Sequence, residues 1–239
     1  MQQKYKAKLR KKQTIANDTM AFYWEKPHGF TYKAGQYCTM TLINPKLTDE
    51  EGKERALSIA TAPYEEAVMT ATRISDSAFK QMLEEFTPGT EVEFDEPRGE
   101  FTLHHDETTP AVFIIGGIGI TPVRSIIAQA TNEQFPHNLI LLYSNKKPQD
   151  AAFMEDLKGF EEKNSNFLFV PVMTNTEPNE WTGERGLIDT DMIQKYVSDI
   201  SAPIYYLCGP PKMVKDMHQL LVEMGVDENN IRVEEFSGY

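Results

Sequence analysis

The sequence predicts two domains, an all-β one followed by an α/β one. Three observations carry that reading. The first third is a series of short strand-like segments parted by turn residues, with one helical pattern among them. The remainder alternates short apolar runs with helical stripes. Between them lies Asp106-Glu107-Thr108-Thr109-Pro110, a polar stretch closed by proline. The expected domains are therefore residues 1–106 and 107–239.

In the first part, Tyr5, Ala7 and Leu9 alternate with Lys4, Lys6, Lys8 and Arg10. That is a half-buried strand with one basic face, expected to be a solvated edge that discourages mispairing. Further strands are predicted at 20–24, 37–43, 56–60, 68–73 and 91–94, separated by turn residues such as His28-Gly29, Asn44-Pro45 and Pro88-Gly89. Residues 77–86 form the helix candidate, with Phe79, Met82, Leu83 and Phe86 at helical spacing. Several short strands at this spacing indicate a barrel or a sandwich.

In the second part, apolar runs recur at 111–115, 139–142, 167–172 and 204–207. Such runs suit strands buried on both faces of a parallel sheet. Asp150 is expected to cap a helix carrying Phe153, Met154, Leu157 and Phe160, and 189–197 is a further helix. Met213, Val214, Met217, Leu220, Leu221 and Met224 make a helical stripe that ends at Gly225, and its methionines read as core filling. His104 and His105, near the boundary, are expected to be solvated.

Composition narrows the function. The chain has 239 residues, a net charge of −12 and two cysteines, Cys38 and Cys208. The acidic balance disfavours nucleic acid. The cysteines lie too far apart for a metal-ligand spacing or a disulfide framework, so no metal is expected and a cytoplasmic home is. No apolar run approaches the roughly 20 residues of a membrane span. The N-terminal MQQKYKAKLRKK lacks the apolar core of a signal peptide.

Residues 111–125, AVFIIGGIGITPVRS, read as strand, glycine turn and helix start. Thr121 is the expected N-cap and Pro122 the first helical residue. Unpaired N–H groups at a helix start, reached through Gly116, Gly117 and Gly119, suit a pyrophosphate. An ordinary glycine turn in a βα unit is the bland alternative. The spacing is not the G-x-G-x-x-G dinucleotide fingerprint, and no carboxylate ends the next strand, which runs into Tyr143-Ser144-Asn145.

Four separated segments together resemble the ferredoxin–NADP reductase family of flavoenzymes. They are Arg55-Ala56-Leu57-Ser58-Ile59-Ala60-Thr61, the GGIGITP loop, Cys208-Gly209-Pro210-Pro211-Lys212-Met213 and Val233-Glu234-Glu235-Phe236-Ser237-Gly238-Tyr239. Gly35-Gln36-Tyr37, Pro88-Gly89 and Pro97-Arg98-Gly99-Glu100-Phe101 are similar to the family's supporting pattern. The resemblance covers nearly the whole chain. It implies an antiparallel Greek-key barrel that binds flavin, followed by a doubly wound parallel-sheet domain that binds nicotinamide.

By that resemblance Arg55 pairs with the flavin phosphates and Ser58 donates to flavin N5. Leu57 stands where the family pattern R-x-Y-S has a tyrosine covering the flavin; it can exclude water but cannot stack. Ser77, at the end of Ile74-Ser75-Asp76-Ser77, matches the serine of the family's G-x-x-S phosphate contact without its glycine. Ser77 is expected both to cap its helix and to serve the phosphate. Ala56, Ile59, Thr72 and Ala78 complete the implied flavin site. Gly116, Gly117, Gly119, Ile120, Thr121 and Pro122 would hold the dinucleotide, with Cys208, Gly209, Pro210 and Met213 beside the nicotinamide. Glu234 matches the proton-handling carboxylate, and Phe236 or Tyr239 the aromatic lid, Phe236 being favoured.

The implied activity is hydride transfer from NADH or NADPH to FAD, then single electrons to a separate acceptor, with ferredoxin as the expected partner. No C-x4-C-x2-C cluster is present, so the iron–sulfur module of some relatives is not expected. Met173-Thr174-Asn175 lacks an arginine for a 2′-phosphate and leans to NADH, while Lys146 and Lys147 keep NADPH open. A free-flavin or ferric reductase, or a non-catalytic nucleotide-sensing subunit, are the alternatives.

Overall fold

The lysine-alternating N-terminal segment forms one long strand, β1 (Lys4–Ala16), in the computed structural model, which describes residues 3–50, 52–177 and 179–235. The chain divides into two compact units, Met1–Thr102 with Thr121–Gln129, and Leu103–Ile120 with Ala130–Tyr239.

The first unit is antiparallel. It contains β1, β2 (Thr19–Glu25), β3 (Tyr37–Leu42), β4 (Glu54–Ser58), β5 (Ala67–Arg73), α1 (Ala78–Glu85) and β6 (Glu91–Asp95). The strand order β4-β3-β6-β1-β2-β5 is a Greek-key arrangement. Just beyond β4, the Ala60 N–H donates to the Met69 carbonyl of β5 (2.8 Å) and draws the two ends of the sheet together into a barrel. Ala7, Leu9, Trp24, Met40, Val92 and Phe94 fill the interior from alternate strand positions. Trp24 meets Phe94 edge-on at 5.8 Å and donates its indole N–H to Thr70 Oγ1 (3.0 Å), so its one polar atom is satisfied.

The basic face of β1 is not a sheet edge. Its first half pairs with β6, placing Lys4, Lys6 and Lys8 opposite Asp95, Glu93 and Glu91. Its second half pairs with β2, after a register shift between Leu9 and Lys11. The lysines thus meet an acidic stripe of the same period, with Lys4–Glu93 and Lys8–Glu91 pairs at 3.7 Å.

The second unit holds β7 (Ala111–Gly116), the rest of the parallel sheet, and the helices around it: α2 (Ile120–Glu133), β8 (Leu139–Asn145), α3 (Met154–Lys163), β9 (Phe167–Met173), β10 (Glu184–Arg185), α4 (Thr190–Tyr196), β11 (Ile204–Gly209), α5 (Pro211–Glu223) and β12 (Ile231–Glu235). Residues 121–129 of α2 group with the first unit. There, Arg124 Nη1 donates to the Ala60 carbonyl (3.0 Å) and to Glu65 Oε2 (2.7 Å). The sheet is parallel in the order β10-β9-β8-β7-β11-β12, so the chain reverses its direction of winding between β7 and β11. In open α/β sheets ligands bind at the carboxyl ends of strands flanking such a reversal.

Local expectations fare unevenly here. α5 carries its apolar stripe into the core and ends at Gly225, whose φ of +90° suits glycine. Asp150 does not cap α3; its carboxylate accepts from the Lys147 N–H in a separate 3-10 turn, and α3 begins after Phe153 in a left-handed conformation. His104 is buried, not solvated. Its Nε2 lies 2.8 Å from the Thr109 carbonyl, which can only accept, so that nitrogen carries the proton and Nδ1 accepts from Tyr206 Oη (2.9 Å). Burial, above all, holds the His104 imidazole below its usual pKa.

Candidate functional site

In the first unit the predicted residues gather around the start of β4 and the start of α1. Arg55 Nη2 reaches the Asp49 carboxylate (3.1 Å to Oδ1) and Ser77 Oγ (3.4 Å), while its guanidinium carbon lies 5.2 Å from the Phe79 ring centroid. Ser77 occupies the N-cap position, but its hydroxyl makes no cap. The cap is Asp49, whose Oδ2 accepts from the Ala78 N–H (2.9 Å) and from Ser77 Oγ (3.4 Å). Three donors of different kinds therefore converge on one carboxylate. Desolvation would raise the Asp49 carboxyl, but the donors from Arg55, Ala78 and Ser77 outweigh it and hold the group below its usual range. No sequence signal distinguishes Asp49 from the other polar residues of its loop.

Ser58 ends β4. Its side chain is buried, and its Oγ has no hydrogen-bond partner among the described residues. A buried hydroxyl without a partner is costly unless a ligand supplies one. Ala56 and Leu57 precede it on the strand, Leu57 packing partly against the barrel core. Ile59 and, on β5, Thr72 are buried. An orphaned donor on one strand and an anion seat two elements away fit a phosphorylated cofactor with a polar ring.

In the second unit the site is built backbone against backbone. Gly116 ends β7, and a Cβ there would lie 2.5 Å from Met213 Sδ and 3.0 Å from Pro210 Cδ. A Cβ on Gly119 would lie 2.7 Å from the Cys208 carbonyl oxygen. Gly209, with φ +153°, packs on Gly116 in the same way. Gly117 takes φ +52° and its carbonyl accepts from Tyr143 Oη (3.0 Å). These glycines let β11, the turn before α2 and the first turn of α5 crowd the carboxyl end of β7.

The helix start differs from the sequence expectation. Residues 117–119 form a 3-10 turn that runs directly into α2, whose N-cap is Gly119 rather than Thr121. Ile120, Thr121 and Pro122 are the first three helical residues. Proline is tolerated in a first helical turn because no earlier turn of the helix is there for its ring to clash with.

Cys208 lies on β11 between Ile115 of β7 and Glu234 of β12 in register, and is fully buried. Burial pushes its thiol well up, and the neighbouring Glu234 charge adds to this. Such a thiol stays protonated and is no nucleophile. Glu234 Oε2 is also buried and has no partner among the described residues. Burial pushes the Glu234 carboxyl up to about 7. Phe236 and Tyr239, the two lid candidates, lie outside the described residues.

Glu234 gives a direct expectation for pH. The folded chain keeps a proton at Glu234 up to about pH 7, whereas the unfolded chain releases it near its ordinary value of 4.5. On this account stability is greatest at low pH and falls by roughly 3 kcal/mol at most as pH rises from 4.5 to about 7. Thermal unfolding of the wild type and Glu234→Gln checks this. The variant gains on the wild type as pH rises from about 5 to about 8; parallel curves would show that the carboxyl is not held neutral.

The fold is that of a two-part nucleotide-binding oxidoreductase. Residues 113–219 match the family model described as "Oxidoreductase NAD-binding domain". The F subunit of the Na(+)-translocating NADH-quinone reductase of Idiomarina loihiensis is 30% identical over 185 residues, covering 75% of this chain and 44% of that one. The chain thus spans less than half the length of the curated relatives it matches. The FAD/NAD-binding domain of nitric oxide dioxygenase from Vibrio cholerae superposes with a TM-score of 0.83 at 18% identity, covering 98% of this chain and 99% of that one. A ferredoxin NADP+ reductase from Neisseria gonorrhoeae, with bound FAD and NADP, gives 0.79 at 22% identity, covering 97% and 98%. Residues 113–219 belong to that NAD-binding oxidoreductase family, and the fold of the chain is that of the ferredoxin–NADP reductase-like FAD- and NAD-binding proteins.

Proposed function

We propose that this chain is an NAD(P)H-dependent flavoprotein reductase that serves a separate electron acceptor, a protein carrier of the ferredoxin class. Residues 1–106 would carry FAD and residues 107–239 the nicotinamide dinucleotide. The observation that carries the reading is Ser58 Oγ, buried without a partner among the described residues on the strand that also bears Arg55. FAD, when bound, supplies the chemistry of accepting hydride and releasing electrons one at a time.

The protein's own part is to bind, orient and exclude water. Arg55, Ser77 and the Ala78 N–H offer a guanidinium fork, a hydroxyl and a helix-start donor to phosphate oxygens. Ser58 offers its hydroxyl to the flavin ring nitrogen, and Leu57 keeps water from the ring. Gly116, Gly117 and Gly119, with Ile120, Thr121 and Pro122, present the start of α2 to a pyrophosphate. Cys208, Gly209, Pro210 and Met213 border the nicotinamide, Cys208 as a neutral thiol. Glu234 holds a proton near neutral pH.

Two features favour NADH over NADPH. The relatives are named NADH-quinone reductases, and Met173-Thr174-Asn175 after β9 carries no arginine for a 2′-phosphate. A reducing cytoplasmic setting suits two free, buried cysteines. Among the described residues no helix is long and apolar enough to cross a membrane.

The test is a visible spectrum of the purified protein, followed by anaerobic titration with NADH and separately NADPH. A flavin spectrum that bleaches promptly with NADH is the expected result. A colourless protein that neither takes up FAD nor bleaches would remove the reductase reading.

A further inference from the structure

We infer that Asp49 is a built-in competitor for the cofactor's phosphate: its carboxylate sits on the donors that the phosphate needs, and binding must displace it. This inference rests on the flavin reading above. The Asp49 carboxylate takes one hydrogen bond each from a guanidinium, a hydroxyl and a helix-start N–H. That is the donor set of an oxyanion seat, and the oxyanion now in it belongs to the chain itself. Asp49 lies 28 residues from Ser77 and 29 from Ala78 in sequence, so the contact is tertiary rather than local capping.

The carrier of this carboxylate is the connection between β3 and β4. Its apolar residues Ile43 and Leu47 are exposed, so little buried surface ties them down. Arg55 also donates from Nη1 to the carbonyls of Gly52 (3.1 Å) and Glu54 (2.8 Å). The guanidinium stays aimed at the seat when Asp49 leaves, because its other nitrogen is also held by the Glu54 carbonyl at the start of β4. Phe79 beneath it adds a flat platform. A ligand phosphate gains preorganised donors but binds only the fraction of molecules in which the seat is open. Its apparent affinity is reduced by that fraction.

The competition has a chemical signature. It weakens ligands that carry phosphate and leaves phosphate-free flavin alone. Removing the charge with Asp49→Asn, or with the smaller Asp49→Ser, is expected to tighten FAD binding roughly five- to tenfold. Riboflavin, which has no phosphate, stays within about twofold.

The experiment titrates flavin-stripped wild type, D49N and D49S with FAD and with riboflavin, following flavin fluorescence. Hydrogen exchange at the Ala78 amide is read in parallel. The expected result is tighter FAD binding in both variants, unchanged riboflavin, and an Ala78 amide that exchanges faster in the stripped variants and is protected again by FAD. Equal or weaker FAD binding in both variants, with wild type binding normally, overturns the inference and makes Asp49 a support for Arg55. If wild type and variants alike take up neither FAD nor riboflavin, the flavin reading itself falls, and this inference falls with it.

Discussion

Alanine at Gly119 is expected to destabilise the second unit by about 3 kcal/mol, the upper part of the range for overpacking a rigid site. The added carbon would lie 2.7 Å from the Cys208 carbonyl oxygen and 2.8 Å from the Gly209 nitrogen. Both are backbone atoms of β11, a central strand hydrogen-bonded on each side, so neither can yield cheaply. Gly159 in α3 is the matched control. Nothing lies within 4 Å of a Cβ there, and alanine has the better helix propensity, so Gly159→Ala should be neutral or slightly stabilising. Thermal unfolding of the two variants gives the comparison. A Gly119→Ala protein as stable as wild type would mean that the start of α2 is free to move away from β11.

The second large effect concerns Ser58. Replacing it by alanine removes a buried hydroxyl that has no partner among the described residues, so the fold should lose little or even gain. On the proposed reading, bound FAD would lose a donor to its ring, and loss of one such preorganised donor costs roughly a hundredfold in rate. Rapid mixing of the FAD-loaded variant with NADH should show that loss while FAD affinity changes less than about threefold. Unchanged reduction would show that Ser58 does not face the reacting atom. A large loss of FAD affinity would instead make it a binding residue.

Much of the architecture was legible because it depends on period. Alternation placed Ala7 and Leu9 inside the barrel, and uninterrupted apolar runs marked β7, β8, β9 and β11. What sequence could not supply was the partner of each stripe. The lysines of β1 read as an edge because the acidic positions Glu91, Glu93 and Asp95 are more than 80 residues away and become neighbours only through strand order. His104 read as solvated because its acceptor and donor, Thr109 and Tyr206, are supplied by the fold. The same holds at the sites. Arg55, Ser58 and Ser77 stood out by their motifs. Asp49, the residue that links Arg55 to α1, did not, since an aspartate in a polar loop looks like any other solvated charge. The glycines of residues 116–119 read as a phosphate approach, whereas their close contacts with Met213 and Cys208 are made only when the fold brings distant parts of the chain together.

The length of β1 has a consequence for how the barrel comes apart. A single strand pairs with β6 through Lys4–Lys8 and with β2 through Leu9–Ala16, so both halves of the sheet hang on one spine. Withdrawing β1 would part β6 from β2 in the middle of the sheet. The barrel should therefore behave as one cooperative unit, its β1 amides exchanging with solvent only when the whole unit opens. A chain built this way can loosen at its cofactor loops while its frame remains closed.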